Sequence, residues 1–178
     1  MNKFPLLIIL VFTLSACVHN VSTKDVDVEI RNAYLNKLNK SNLQINLASA
    51  DKLNHQATAL GLGCSAHKYD LDLKNDLIEA LNLVDKDNEI NNTDKFDISV
   101  TPDWARSNFK CVIDGFATGR CQSLVEISGT INYASGRNKP FKISKSVTKE
   151  TSACGGALTS LQEASLEAIS DLASIVKK

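Results

Sequence analysis

The stretch GALTSLQEASLEAISDLASIVKK, residues 156–178, constrains the fold more than any other part of the chain. Read at helical period, it places Leu158, Leu161, Ala164, Ala168, Ile169, Leu172, Ile175 and Val176 on one broad stripe. Thr159, Glu163, Glu167, Ser170, Asp171 and Ser174 face the other way. Lys177 and Lys178 fall where the negative end of the helix dipole favours cations. A helix with one wide apolar stripe must lie on an apolar surface, most simply the dry face of a sheet.

The chain supplies that sheet. Phe96, Ile98 and Val100 alternate in KFDISVT, and Pro102 is expected to stop that strand. Phe109, Cys111 and Ile113 alternate next, and DGFATGR makes a turn. The run from Cys121 to Tyr133 carries Val125, Ile127, Ile131 and Tyr133 on one face and Glu126, Ser128, Thr130 and Asn132 on the other. After the turn ASGRNKP, Phe141, Ile143 and Val147 form a last strand. Clean alternation of this kind describes an antiparallel meander with one wet face. Upstream, DLDLKNDLIEALNLV spaces Leu73, Leu77, Ala80, Leu81 and Val84 for a helix, with Asp70 or Asp72 as its N-cap, and the polar stretch DKDNEINNTD follows as a loop. The fold class is therefore α+β, an antiparallel meander with two helices packed on one face. Nearer the start, Val26, Val28 and Ile30, then Leu43, Ile45 and Leu47, then Leu60, Leu62 and Cys64 alternate as candidate strands, with RNAYLNKLNKS as a helical turn or two between the first two.

The first residues read as an export signal. Lys3 precedes an apolar run from Phe4 to Leu14 and a small-residue exit at Ser15 and Ala16. That run is too short for a membrane span, which needs about 20 apolar residues. The site Leu14-Ser15-Ala16-Cys17 resembles the lipobox of bacterial lipoproteins. The resemblance implies cleavage before Cys17, a diacylglycerol thioether on its sulfur and acylation of the new amino group. Two or more acyl chains anchor a protein stably. Val18, where many inner-membrane lipoproteins carry aspartate, implies an outer-membrane, periplasm-facing location. Residues 1–16 are then a removed signal peptide, 17–25 a lipidated tether and 26–178 a single periplasmic domain.

Export also organises the cysteines. With Cys17 given to lipid, Cys64, Cys111, Cys121 and Cys154 remain, an even set that reads as two disulfides in one of three connectivities. Cys111 and Cys121 share parity with apolar core positions and flank one turn, so a bridge across that hairpin is the simplest pairing. Cys64 and Cys154 each precede a helix and would staple the two helix starts. Pairing of Cys64 with Cys111 or with Cys121 stays open.

Charge and motifs narrow the function. The leader holds one lysine, so the mature chain carries 19 basic and 20 acidic side chains. That balance argues against a nucleic-acid or anionic-lipid surface, which needs a basic excess. Cys64 and His67 have a ligand-like spacing, but no second pair completes a four-ligand zinc site, and His67 is expected on a loop. No G-x-S-x-G, H-E-x-x-H or P-loop is present, and Asp70 and Asp72 have a capping explanation, so neither catalysis nor a cofactor is expected. The sole tryptophan, Trp104, lies in the connection after Pro102 and is expected in the core rather than as an exposed contact.

From Asp70 to Lys178 the layout is similar to a group of small bacterial envelope lipoproteins. These are the auxiliary lipoproteins of ABC-type lipid transport, the lipoprotein that plugs the lipopolysaccharide-insertion barrel, and the activators of penicillin-binding proteins. The likeness rests on LKNDLIEALNLV, FDISVTP, SLVEISGTINYASGR and ALTSLQEASLEAISDLASIV, and the four paired cysteines depart from the group's pattern. It implies a non-enzymatic, lipid-anchored accessory protein that binds or positions a membrane-associated partner complex. The alternative is an inhibitor or immunity lipoprotein that neutralises a hydrolase or toxin, and a third expectation is a carrier for an apolar ligand.

Overall fold

A computed structural model describes residues 17–35, 44–46, 49–87, 98–114, 118–151 and 154–175. Residues 1–16, expected as a signal peptide, Leu43, Leu47, residues 88–97 with Phe96 and most of the expected polar loop, residues 115–117 of the expected turn and the chain from Val176 lie outside the described residues.

In chain order the elements are β1 (Val18–Val21), a 3-10 turn (Thr23–Asp25), α1 (Val28–Leu35), β2 (Gln44–Ile45), a second 3-10 turn (Ala50–Leu53), β3 (His55–Gln56) and β4 (Thr58–Ala59). They continue with β5 (Lys68–Leu71), α2 (Leu73–Asp87), β6 (Ile98–Asp114), β7 (Thr118–Tyr133), β8 (Asn138–Thr151) and α3 (Gly155–Ser174). The chain is α+β. Its larger sheet is the antiparallel meander β6-β7-β8, with β2 and β4 added in parallel to the outer edge of β6 near its two ends. The smaller sheet has the order β1-β5-β3.

Alternation in β7 builds the core. Cys121, Ser123, Val125, Ile127, Gly129 and Ile131 all face inward and are buried. Against them lies α3, whose Ala157, Leu161, Ala164, Ala168 and Leu172 are fully buried. Small residues on the helix let it sit close to the sheet. A contact at this depth is optimised for packing density, and removing one leucine costs about 2–5 kcal/mol.

α3 is covered on its second side as well, which the single stripe did not foretell. Leu166, Ser165 and Ser170 are buried, and the helix packs against α1, the first 3-10 turn and β1. Ser170 donates its hydroxyl to the Tyr34 carbonyl (3.3 Å), and Tyr34 donates to Glu167 (2.8 Å). That bond to a carboxylate is the chief reason the Tyr34 phenol is pushed up to about 12. So α3 is the middle of three layers, and α2 joins the core from the side. Asp72, of the two candidates, caps α2 by accepting from Asn75 N–H (3.3 Å). Leu73, Leu77 and Ala80 of α2 are buried, and the helix packs on the turn at Ala50–Leu53.

Four expectations need correction. Residues 18–25 are no tether: β1 pairs in parallel with β5, and Val21 and Thr23 are buried. Val26, Val28 and Ile30 are no strand, because Asp27 accepts the N–H groups of Glu29 (2.9 Å) and Ile30 (3.4 Å) and so caps a helix there. Val28 and Ile30 are consequently exposed. Leu60, Leu62 and Cys64 do not continue β4, since the chain turns at Gly61 (φ +111°) and at Cys64 (φ +60°). Pro102 does not stop a strand either; β6 runs through it, with a bulge between Pro102 and Trp104.

Candidate functional site

The four cysteines form the bridges Cys64–Cys154 and Cys111–Cys121. Cys111 and Cys121 stand directly opposite in the β6–β7 ladder, 4.1 Å apart at Cα, and both face the core. Cys64–Cys154 ties the loop before β5 to the residue that precedes α3; it sits at one helix start rather than joining two, because β5 lies between Cys64 and α2. The sulfurs of Cys64, Cys111 and Cys121 lie within 4.8 Å of one another, so the two bridges pack together.

One pair has the geometry of a nucleophile and base. His55 Nε2 and the Ser107 hydroxyl share a hydrogen bond of 2.8 Å, while Nδ1 bonds the Leu53 carbonyl at 2.7 Å. A base held in one tautomer beside a serine is the arrangement of acyl-transfer enzymes. Here Ser107 is only 3 % exposed, on the inward face of β6, so among the described residues the pair is enclosed and acts as a cohesive contact between β3 and β6. Burial holds the His55 imidazole below its ordinary pKa, consistent with a neutral ring bridging two oxygens. Sequence reasoning missed this pair because the residues stand 52 positions apart and carry no motif.

The outer face of the meander is the open surface. The bulge at Asp103 reverses the parity of β6: Val100 and Pro102 point inward before it, Ala105, Ser107, Phe109 and Cys111 after it. The reversal puts Trp104 outside, 42 % exposed, and corrects its expected place in the core. The Arg106 guanidinium lies 5.6 Å from the centre of the Trp104 ring. Arg106 also bonds Glu126, which receives the Lys142 ammonium from β8 at 2.6 Å. Those two cations, Lys142 foremost, hold the Glu126 carboxyl below its usual range. A tryptophan, an arginine, a carboxylate and a lysine are thus locked across three strands. Around them the face is polar, with Lys110, Gln122, Ser144, Ser146 and Thr148 exposed.

At the end where β1 and β5 begin, the Cys17 carbonyl accepts Lys68 N–H at 2.9 Å, and the Cys17 thiol is free and exposed. His67 lies in the loop before β5, as expected, and shares a 2.8 Å hydrogen bond with His19. His19 stacks on Tyr69 (5.1 Å), which meets Phe109 edge-on (4.9 Å) and donates to the Cys154 carbonyl (3.0 Å). This aromatic column fastens the small sheet to the large one. A groove of about 780 Å³ lies at the other end, between β8 and the end of α3, with Ile131, Tyr133, Phe141 and Ile143 among its walls and Lys139 and Lys145 beside them. No protein-family model matches the chain, and no curated protein is significantly similar to it.

Proposed function

We propose that this chain is a lipid-anchored envelope protein, without catalysis of its own, that binds a membrane-associated partner complex through the open face of its meander. The observation that carries the reading is the cluster Trp104, Arg106, Glu126 and Lys142 on that face. Tryptophan and arginine dominate the energetics of protein interfaces, and here both are held in place before any partner arrives. Cys17 supports the anchored half of the reading, since the exposed thiol sits one residue before β1 and no spacer separates lipid from domain. The partner would therefore lie in or on the same outer membrane.

Crosslinking in intact cells, followed by detergent extraction and mass spectrometry, tests it. Wild type is expected to capture a membrane barrel or transporter that both Cys17→Ser and Trp104→Ala lose. A soluble hydrolase captured equally by wild type and Cys17→Ser would sink the accessory role in favour of inhibition. The groove beside α3 favours one second reading, a carrier for an apolar ligand. Lipid that co-purifies with wild type and is lost with Phe141→Asp would establish it.

A further inference from the structure

We propose that the loop of residues 60–66 enters the bilayer, inserting Leu60 and Leu62 beside the acyl chains of Cys17 and seating the domain directly on a phospholipid surface. The inference deepens, and rests on, the reading of the chain as lipid-anchored.

Four apolar side chains stand out of one end of the molecule. Leu62 is 94 % exposed, Val18 57 %, Val112 50 % and Leu60 48 %. They converge for topological reasons. Cys17 and Val18 open β1, which pairs in register with Lys68 at the start of β5, and the 60–66 loop leads into that same strand. The loop also leans on β6: Leu60 N–H donates to the Phe109 carbonyl (2.7 Å), and Val112 lies three residues further along that strand.

The loop is built, not slack. Gly61 and Cys64 both adopt left-handed backbone, a conformation that costs a non-glycine residue such as Cys64 about 1–2 kcal/mol. A Cβ at Gly63 would collide with the Cys111 carbonyl, so the chain is pressed onto β6 there. Ser65 closes a turn on the Leu62 carbonyl through both its N–H (3.3 Å) and its hydroxyl (3.0 Å), and His67 N–H bonds the Cys64 carbonyl (3.0 Å). The Cys64–Cys154 bridge then bolts the loop to α3. Such constraints hold a leucine in water at a fixed position, which is unfavourable unless something apolar meets it. The flanking charge selects lipid as that occupant. Residues 60–68 contain no acid, exposed Lys68 closes the loop, and exposed Lys110 stands next to Cys111, against which Gly63 is pressed, so the loop is flanked by cations that suit phospholipid headgroups.

The test uses the chain from Cys17 onward with its disulfides intact, coupled through the Cys17 thiol to a maleimide phospholipid in vesicles of phosphatidylethanolamine and phosphatidylglycerol. Coupling replaces natural acylation, so the loop is judged independently of the anchor. Trp104→Phe combined with Leu62→Trp moves the only indole to the loop tip. Its emission is expected to shift to the blue and to lose roughly half its intensity when the acyl chains are brominated, because interfacial insertion reaches the upper acyl region. In the chain with Trp104 in place the emission should not change, since Trp104 stands eight residues, or about 26 Å, up the strand from Val112. An unquenched, water-like indole at position 62 would overturn the proposal. The anchor itself is read separately, from the mass of the N-terminal peptide of the protein taken from cell membranes. A missing diacylglyceryl group there would remove the anchor reading and leave the loop result standing.

Discussion

His55 shows how a single side chain can resemble catalysis and serve cohesion. It joins the Leu53 carbonyl to the Ser107 hydroxyl, and so ties the segment before β3 to β6. Burial lowers its pKa, so the native state holds the neutral ring while the unfolded chain takes up a proton near the ordinary value of 6.5. This contribution to stability is therefore fully present above pH 6.5 and is lost as pH falls below it, toward the depressed native value. Thermal melts from pH 7.5 to 5 should show wild type losing stability over that window and His55→Asn losing less. Nothing in the local sequence announces this bond. Trp104 carries the complementary lesson: the parity of apolar residues shifts from even at Ile98 and Val100 to odd at Phe109 and Cys111, and that shift is visible in the sequence. A proline between the two halves suggested two strands, whereas the ladder to β7 holds them in one and absorbs the shift as a bulge.

At the level of elements, the two bridges should differ in worth. Cys64–Cys154 closes 90 residues and Cys111–Cys121 only 10. If the bridges act chiefly by restricting the unfolded chain, removing the first as a Cys→Ala pair costs about 4.5 kcal/mol and removing the second about 3 kcal/mol. Denaturant midpoints of the two double variants check the order, and a larger loss for Cys111/Cys121 would show that the hairpin bridge works through native packing. Strand parity made the hairpin bridge Cys111–Cys121 the simplest pairing, and the fold chose it over the connectivities that the sequence left open. The N-terminal elements did not follow from parity. Three alternating residues at Val26, Val28 and Ile30 are too short a run to outweigh a capping aspartate at Asp27.

Across the whole molecule, order should fall away from β7 and α3. β7 is paired along most of its length on both sides, while β2, β3 and β4 are two-residue strands at the edges. Hydrogen exchange should accordingly be slowest in β7 and the middle of α3 and faster in β2, β3 and β4. Equal protection of β4 and β7 would contradict a core centred on the meander. By itself the sequence determined the α+β class, the strands β7 and β8, both long helices and an even set of four cysteines, because periods of two and 3.6 are local and each repeats over many residues. The joining of the two halves of β6 across Pro102 and the choice among the disulfide connectivities came from the fold. Tertiary structure alone decided that α3 is buried from two sides, that Trp104 faces outward and that residues 18–21 join a sheet. Those outcomes depend on partners far away in the chain: Tyr34 over Ser170, Gly129 beneath Pro102, and Lys68 beside Val18. A contact between distant residues leaves no period in either segment, so only the folded chain reveals it.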